Sequence, residues 1–368
     1  MRKLYQLTHL ILIMLISAAC KNDDSATPDP QGDSLYFPPI NSQDWETTSP
    51  EGLGWSTTAV DNLLTYLETN NTRAFIILVE GRIVVEAYFG NNILGTTTFD
   101  VNSQWYWASA GKTLTATLVG IAQQEGRLSI DNPTSNYLGT GWTSLPADKE
   151  ALITVRNQLT MTSGLDYGVA DLNCTDPSCL VYKTDAGDQW YYHNAAYTLL
   201  ERVVEDATGI DYNDYTNQKV EAITGMSGQW LSSGYNNIYW STARDMARFG
   251  LLMLNRGSWG STGVLKDQGY YHSMVGPSQD LNPSYGYLWW LNGENSIIYP
   301  GLPNTFNTSL SPNAPTDLFA GMGFNGQFVE VIPSKNMVVV RMGEAPEGSA
   351  VPIAFHDEMW SKINSVIN

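Results

Sequence analysis

Strand-forming runs gather towards the two ends of this chain, and a long stretch of helical and loop patterning separates them. Phe75 to Glu80 and Ile83 to Phe89 are rich in β-branched and aromatic residues and meet at Gly81-Arg82, a hairpin signal. Tyr285 to Leu291, Gln327 to Ile332 and Met337 to Met342 repeat that character near the other end, and Pro352 to Val366 closes with helical spacing. Residues 127 to about 270 read instead as mostly helical, with Tyr197 to Ala207 and Ala243 to Asn255 the clearest helices. Ala59 to Leu67 and Ser109 to Glu125 are further helices; in the second, Leu114, Leu118, Ile121 and Ala122 share one face. The economical solution is an α/β (α+β) fold with one antiparallel sheet built from both chain ends, flanked by helices, and a mostly helical lobe inserted. A cleft between lobe and sheet is the natural place for a site.

The first twenty residues carry a different message. Arg2 and Lys3 precede the apolar run Leu10 to Ile16, and Ser17-Ala18-Ala19 leads to Cys20. That is the layout of a secretory signal, and the run is too short for a stable membrane-spanning helix. A cysteine directly after small residues resembles the lipobox of bacterial lipoproteins, which implies that Cys20 is acylated and becomes the mature N-terminus. A plain cleaved signal with an incidental cysteine is the alternative. Residues 21–35 are polar and read as a flexible tether, so the folded domain is expected over 36–368. The expected location is the cell envelope, lipid-anchored in the outer membrane on its periplasmic or cell-surface side.

The formal charge of −18 argues against nucleic acid as a partner. Twelve Trp and twenty Tyr are enough to line a substrate cleft as well as a core. With Cys20 set aside, Cys174 and Cys179 remain, flanking a Pro turn. They suggest a loop disulfide in an oxidising compartment; a metal site is the alternative, but no nearby His supports it.

Ser109-Ala110-Gly111-Lys112 opens a helix. Three residues of spacing put Ser109 and Lys112 on one face, a turn apart. A serine hydroxyl attacks poorly until a base takes its proton, and a lysine held neutral by burial and by the positive helix end can do so. The Ser109 N–H at the same helix end suits an oxyanion. This spacing alone is unspecific, since an N-capping serine with a surface lysine would look the same.

The rest of the chain adds company to that pair. Tyr192-His193-Asn194 precedes the helix Ala195-Ala196-Tyr197-Thr198-Leu199-Leu200, and Leu159 to Leu165 ends in Thr162-Ser163-Gly164-Leu165. Ser241 to Phe249 contains Asp245-Met246-Ala247-Arg248-Phe249, followed by Tyr285-Gly286-Tyr287-Leu288-Trp289 and the hairpin from Gly326 to Val340. In this order the segments, covering roughly residues 50 to 365, resemble the superfamily of penicillin-binding proteins and class C β-lactamases. The resemblance implies a β-lactamase-like fold and a serine hydrolase without a cofactor. Position by position it makes Ser109 the acylated nucleophile and Lys112 its base. Tyr192 becomes a second base and proton shuttle, and Asn194 orients Lys112 or the substrate amide. His193, between them, is expected to point away from the nucleophile.

One departure bears on substrate. Where β-lactamases and many penicillin-binding proteins place Lys-Thr-Gly or His-x-Gly opposite the nucleophile, this chain has Gly321-Met322-Gly323-Phe324-Asn325-Gly326-Gln327, with no cation for a substrate carboxylate. Arg341 and Arg244 are the only visible substitutes. Gly323 leaves room for a substrate to approach the backbone, and Phe324 N–H is the candidate second oxyanion donor. The pattern is more similar to the branch of 6-aminohexanoate-dimer hydrolases and esterases, in which a loop tyrosine covers the substrate; Tyr167 holds a comparable place. The expectation is therefore hydrolysis of a small ester or amide. A D-Ala-D-Ala carboxypeptidase or β-lactamase is the alternative, and an idle binding or sensor domain is the alternative of another class. No protein partner is implied.

Overall fold

A computed structural model describes residues 35–367; the expected signal, Cys20 and nearly all of the tether lie outside the described residues. At the centre is a six-stranded antiparallel sheet. Its strands are β1 (Thr72–Val79), β2 (Arg82–Tyr88), β3 (Trp290–Leu291), β4 (Phe319–Gly323), β5 (Gln327–Ile332) and β6 (Met337–Gly343). Their order across the sheet is β2-β1-β6-β5-β4-β3. The first and last parts of the chain meet where β1 pairs with β6, Ile76 opposite Val340.

Both faces of the sheet are covered, so β5 and β6 are buried at every position and carry mostly apolar residues, with the polar Gln327, Glu330 and Arg341 buried among them. On one face lie α1 (Thr57–Thr69) and α5 (Ile353–Ile367). The buried Glu330 of β5 is held there by His356 and, at 3.0 Å, by the indole N–H of Trp360. On the other face lies α4 (Ala243–Leu254), which starts at a capping box formed by Thr242 and Asp245. Its Gly250 admits Val338 and Val329 from the sheet.

Between sheet and lobe runs α2 (Lys112–Gln124), buried all round from Lys112 to Ala122 rather than along one face. Its threonines make that possible. Thr113 and Thr117 bond back to the carbonyls of Ala110 and Thr113, and Thr115 accepts from Tyr212 at 2.9 Å. The longest lobe helix, α3 (Asn194–Thr208), packs against α2.

Three expectations need correcting. The lobe is less helical than its patterning implies, because Gly228–Ser233 and Asn236–Ser241 form a hairpin that adds Trp105–Tyr106 to make a separate three-stranded sheet. The alternation that buries Trp230 and Tyr239 on one side was visible there, with Gly234 at the turn. Tyr285 to Leu291 narrows to a strand of two residues, because Leu288 sits at φ 62° in a reversal closed by Gly286 N–H donating to Trp289 O. Ser109 lies in a 3₁₀ turn, Ala108–Gly111, and the α-helix begins only at Lys112.

Candidate active site

Ser109 enters the cleft from a forced backbone. Ala108 before it sits at φ 47°, a region that costs an L-residue with a Cβ about 1 kcal/mol or more. Strand β4 then passes so close that a Cβ on Gly323 would lie 2.4 Å from Trp107 O and 3.1 Å from Ser109 N. Only glycine permits that approach. It brings the Ser109 amide and the Gly323-Phe324 segment to the same end of the cleft.

The turn after Gly323 is held from behind. Asn325 adopts φ 63° and donates from its side chain to the Tyr106 hydroxyl at 2.9 Å. Arg341, fully buried, donates to the carbonyls of Asn325 at 2.9 Å and Gly326 at 2.7 Å. Arg244 is engaged elsewhere, paired with Glu86 through two contacts of 2.7 and 2.8 Å. Neither arginine supplies the cleft with a cation. Gly321 explains part of the departure in sequence: a Cβ there would press on Thr113 of α2 and on Val329, so any larger residue would push the strand outward.

Lys112 Nζ stands 3.0 Å from Ser109 Oγ and lies over the rings of Tyr197 at 4.1 Å and Tyr192 at 5.0 Å. The side chain is only 3 % exposed. Burial lowers its pKa to about 7, against the opposing pull of Glu201. A substantial fraction of Lys112 is therefore a neutral amine near pH 7. Tyr192 also hydrogen-bonds Ser109, but burial pushes its phenol far above the ordinary value. This corrects the expectation of a second base: near neutrality Tyr192 is a neutral phenol, placed to give a proton rather than take one. Its ring is fixed by stacking on Trp290, with centroids 5.8 Å apart.

Asn194 lines the same cavity as Ser109 and Tyr192, but its amide donates to Asn173 Oδ1 at 3.0 Å, and no contact with Lys112 accompanies it. Its Oδ1 is buried without a partner. Tyr167 is a second correction. It does not line the cavity; it stacks on Tyr191 at 4.1 Å, with Lys183 over its ring at 3.9 Å. His193 is buried, with burial lowering its pKa to about 4, and it faces Asp166 rather than the cavity.

The expected Cys174–Cys179 disulfide forms. Sequence reading missed two contributors beside the cleft. The segment just before that disulfide is where Asn173 meets Asn194 and where Leu172 lines the cavity, its carbonyl accepting from Ala195 N–H. Glu201 on α3 is buried, bonded to the Asn237 amide at 2.9 Å, with Oε1 unpartnered. The signal for Glu201 was present: it follows Tyr197 by four residues, inside the apolar stripe of its helix. Among the described residues, no group of three or more His, Cys, Asp or Glu is placed to hold a metal ion.

The fold and this cleft define a serine hydrolase class: an antiparallel sheet, an inserted lobe, and a serine presented between them. Within that class the chain belongs to the β-lactamase family, whose model, described as Beta-lactamase, matches residues 67–351. An uncharacterised protein of Alkalihalophilus pseudofirmus is 24% identical over 306 residues, covering 74% of this chain and 84% of its own. A candidate 6-aminohexanoate-dimer hydrolase of Bacillus anthracis has a similar fold, with a TM-score of 0.65 at 17% identity over 90% of this chain and 88% of its own. A hydrolase with promiscuous acyltransferase activity, EstCE1, gives 0.64 at 13% identity over 85% and 99%.

Proposed function

We propose that this protein hydrolyses an uncharged ester or amide through an acyl-enzyme on Ser109. The observation that carries the reading is the 3.0 Å contact between Ser109 Oγ and a buried lysine whose pKa falls to about 7. Ser109 Oγ attacks the acyl carbon while its proton passes to the neutral Lys112 amine. The bond to the leaving group breaks as that group receives a proton returned through Lys112 and the Tyr192 phenol. Water then attacks the acyl-serine ester; the acid departs and the proton goes back to Ser109. The amides of Ser109 and Phe324 are the donors for the oxyanion, and the unpartnered Oδ1 of Asn194 accepts a hydrogen bond from the substrate.

Export and lipidation at Cys20 complete the proposal, placing the enzyme in the cell envelope on a lipid anchor. Among the described residues no helix is long and apolar enough to cross a membrane. The deciding experiment treats the full chain with a fluorophosphonate probe and locates the adduct by peptide mass analysis. Labelling at Ser109, lost in Ser109→Ala together with p-nitrophenyl ester turnover, supports the reading. Near wild-type turnover in that variant refutes it.

A further inference from the structure

The cavity beside Ser109 has a volume of about 300 Å³, and none of the side chains lining it is charged. Trp290, Leu310, Met322, Phe328 and Ile353 form most of its wall, with Leu172 on the lobe side. Its polar side chains are the reacting or orienting ones already described, together with the Tyr299 hydroxyl. Apolar character continues outside. Phe324 is 56 % exposed and Val351 48 % at the mouth, and the neighbouring Leu302 and Phe306 are 42 % and 40 % exposed. Phe306 packs against Tyr299 at 5.4 Å, which ties that outer surface to the cavity wall. Isolated exposed apolar residues are ordinary, but several gathered around the mouth of one apolar cavity mark a binding surface.

We infer that the substrate carries an uncharged aliphatic chain of about six to eight carbons, lodged between Ser109 and the Phe324–Val351 mouth. The inference rests on the hydrolase reading above and adds the substrate class. Size sets the length. A cavity of about 150 Å³ accommodates a benzene-sized ligand, so this one holds roughly twice as many heavy atoms, close to an octanoyl group with little to spare. Longer chains would emerge over Phe324 and Val351, where each further methylene is only partly removed from water. Charge sets the chemistry, because a carboxylate at the chain end would be buried without a cation, and the net charge of −18 opposes it further.

The test uses the full-length enzyme and two ester series. One varies the acyl group of p-nitrophenyl esters from acetate to dodecanoate; the other varies the alcohol of butanoate esters from ethyl to octyl, followed by acid release. In the series whose chain occupies the cavity, kcat/KM should rise about fourfold per methylene, the equivalent of roughly 0.8 kcal/mol per buried CH2, and level off near eight carbons. The p-nitrophenyl monoester of adipic acid, anionic at the chain end, should react at least 100-fold more slowly than the hexanoate. Leu172→Trp, which narrows the cavity, and Val351→Asp, a surface change that charges the mouth, should each lower the octanoate-to-acetate ratio at least tenfold while probe labelling of Ser109 persists. Flat or falling series in both arms, with acetate still hydrolysed and Ser109 still labelled, overturn the inference and leave the hydrolase reading standing. Absence of both labelling and ester turnover overturns the two together.

Discussion

Lys112 on α2 and Glu201 on α3 are buried ionisable groups of opposite type, each favouring the charged form of the other. Burial nevertheless drives Lys112 down to about 7 and Glu201 up to about 8. Near pH 7 the pair holds its protons loosely. That suits a base that must take a proton from Ser109 and return it within one turnover.

The neutral amine is the active form of Lys112, so acylation should increase with pH through about 7 and reach a plateau above it. The pH dependence of kcat/KM for a neutral ester measures this. Lys112→Arg should lower kcat/KM about 100-fold or more, because a guanidinium stays protonated throughout. A rate independent of pH between 5 and 9 would contradict the assignment.

Glu201→Gln keeps an acceptor for Asn237 and removes a carboxyl that burial keeps mostly protonated below about pH 8. The acid limb of the same profile, set by Lys112 near 7, should therefore stay where it is. Glu205 also bears on Glu201, and the buried phenols of Tyr192, Tyr197 and Tyr212 have pKa values raised by burial and stay neutral over this range. A limb displaced to lower pH would mean that Glu201 is ionised across that range and supports protonated Lys112.

Gly323→Ala forces a methyl group against Trp107 O and the Ser109 amide. Loss of one oxyanion donor typically costs 100-fold or more in kcat, and a loss of that size is expected here with the protein still folded by circular dichroism. Gly52→Ala, where a Cβ meets only Ser49 Oγ at 3.4 Å and Thr48 at 3.9 Å, is the control for a glycine away from the cleft.

Cys174→Ser combined with Cys179→Ser should cost about 2 kcal/mol of stability, the scale for closing so short a loop. Because Leu172 and Asn173 immediately precede Cys174, KM should rise several-fold while kcat changes little. Denaturant unfolding and steady-state kinetics separate the two effects.

A cleft without a cation should disfavour substrates that depend on a carboxylate contact, worth roughly 1.5–3 kcal/mol where it exists. Neutral p-nitrophenyl esters should exceed nitrocefin by at least 100-fold in kcat/KM. Efficient nitrocefin hydrolysis would instead favour a β-lactamase.

The sequence was most legible where periodicity and position coincide. Strands β1, β2, β5 and β6 and helices α1, α3, α4 and α5 fall within a few residues of where their patterning puts them. So does the pairing of both chain ends in one sheet, because buried antiparallel runs at each end have no other partner of their length. Ser109 and Lys112 were legible as a Ser-x-x-Lys pair and Tyr192 through the resemblance of its segment, and the fold brings all three to one cleft. Glu201 left a signal, a carboxylate inside the apolar stripe of its helix, that was not read; Leu172 and the role of Arg341 left none, because each acts through long-range contact. Arg341 bonds Asn70 O as well as Asn325 O, and linear proximity cannot reveal that its guanidinium braces a turn. Tyr167 misled for the converse reason: its place in the chain suits a substrate cover, but stacking on Tyr191 occupies its ring.

The pairing of Ile76 with Val340 also orders the chain's own assembly. During synthesis β1 and β2 emerge early and can close on each other, but the inner edge of β1 waits for β6 until nearly all of the polypeptide has appeared. Folding is thus a late event dominated by distant contacts, the slow regime for a domain of this size. A polypeptide stopped before Met337 would be more than a shortened enzyme. It would present an open, apolar strand edge, the template through which unfinished chains recruit one another.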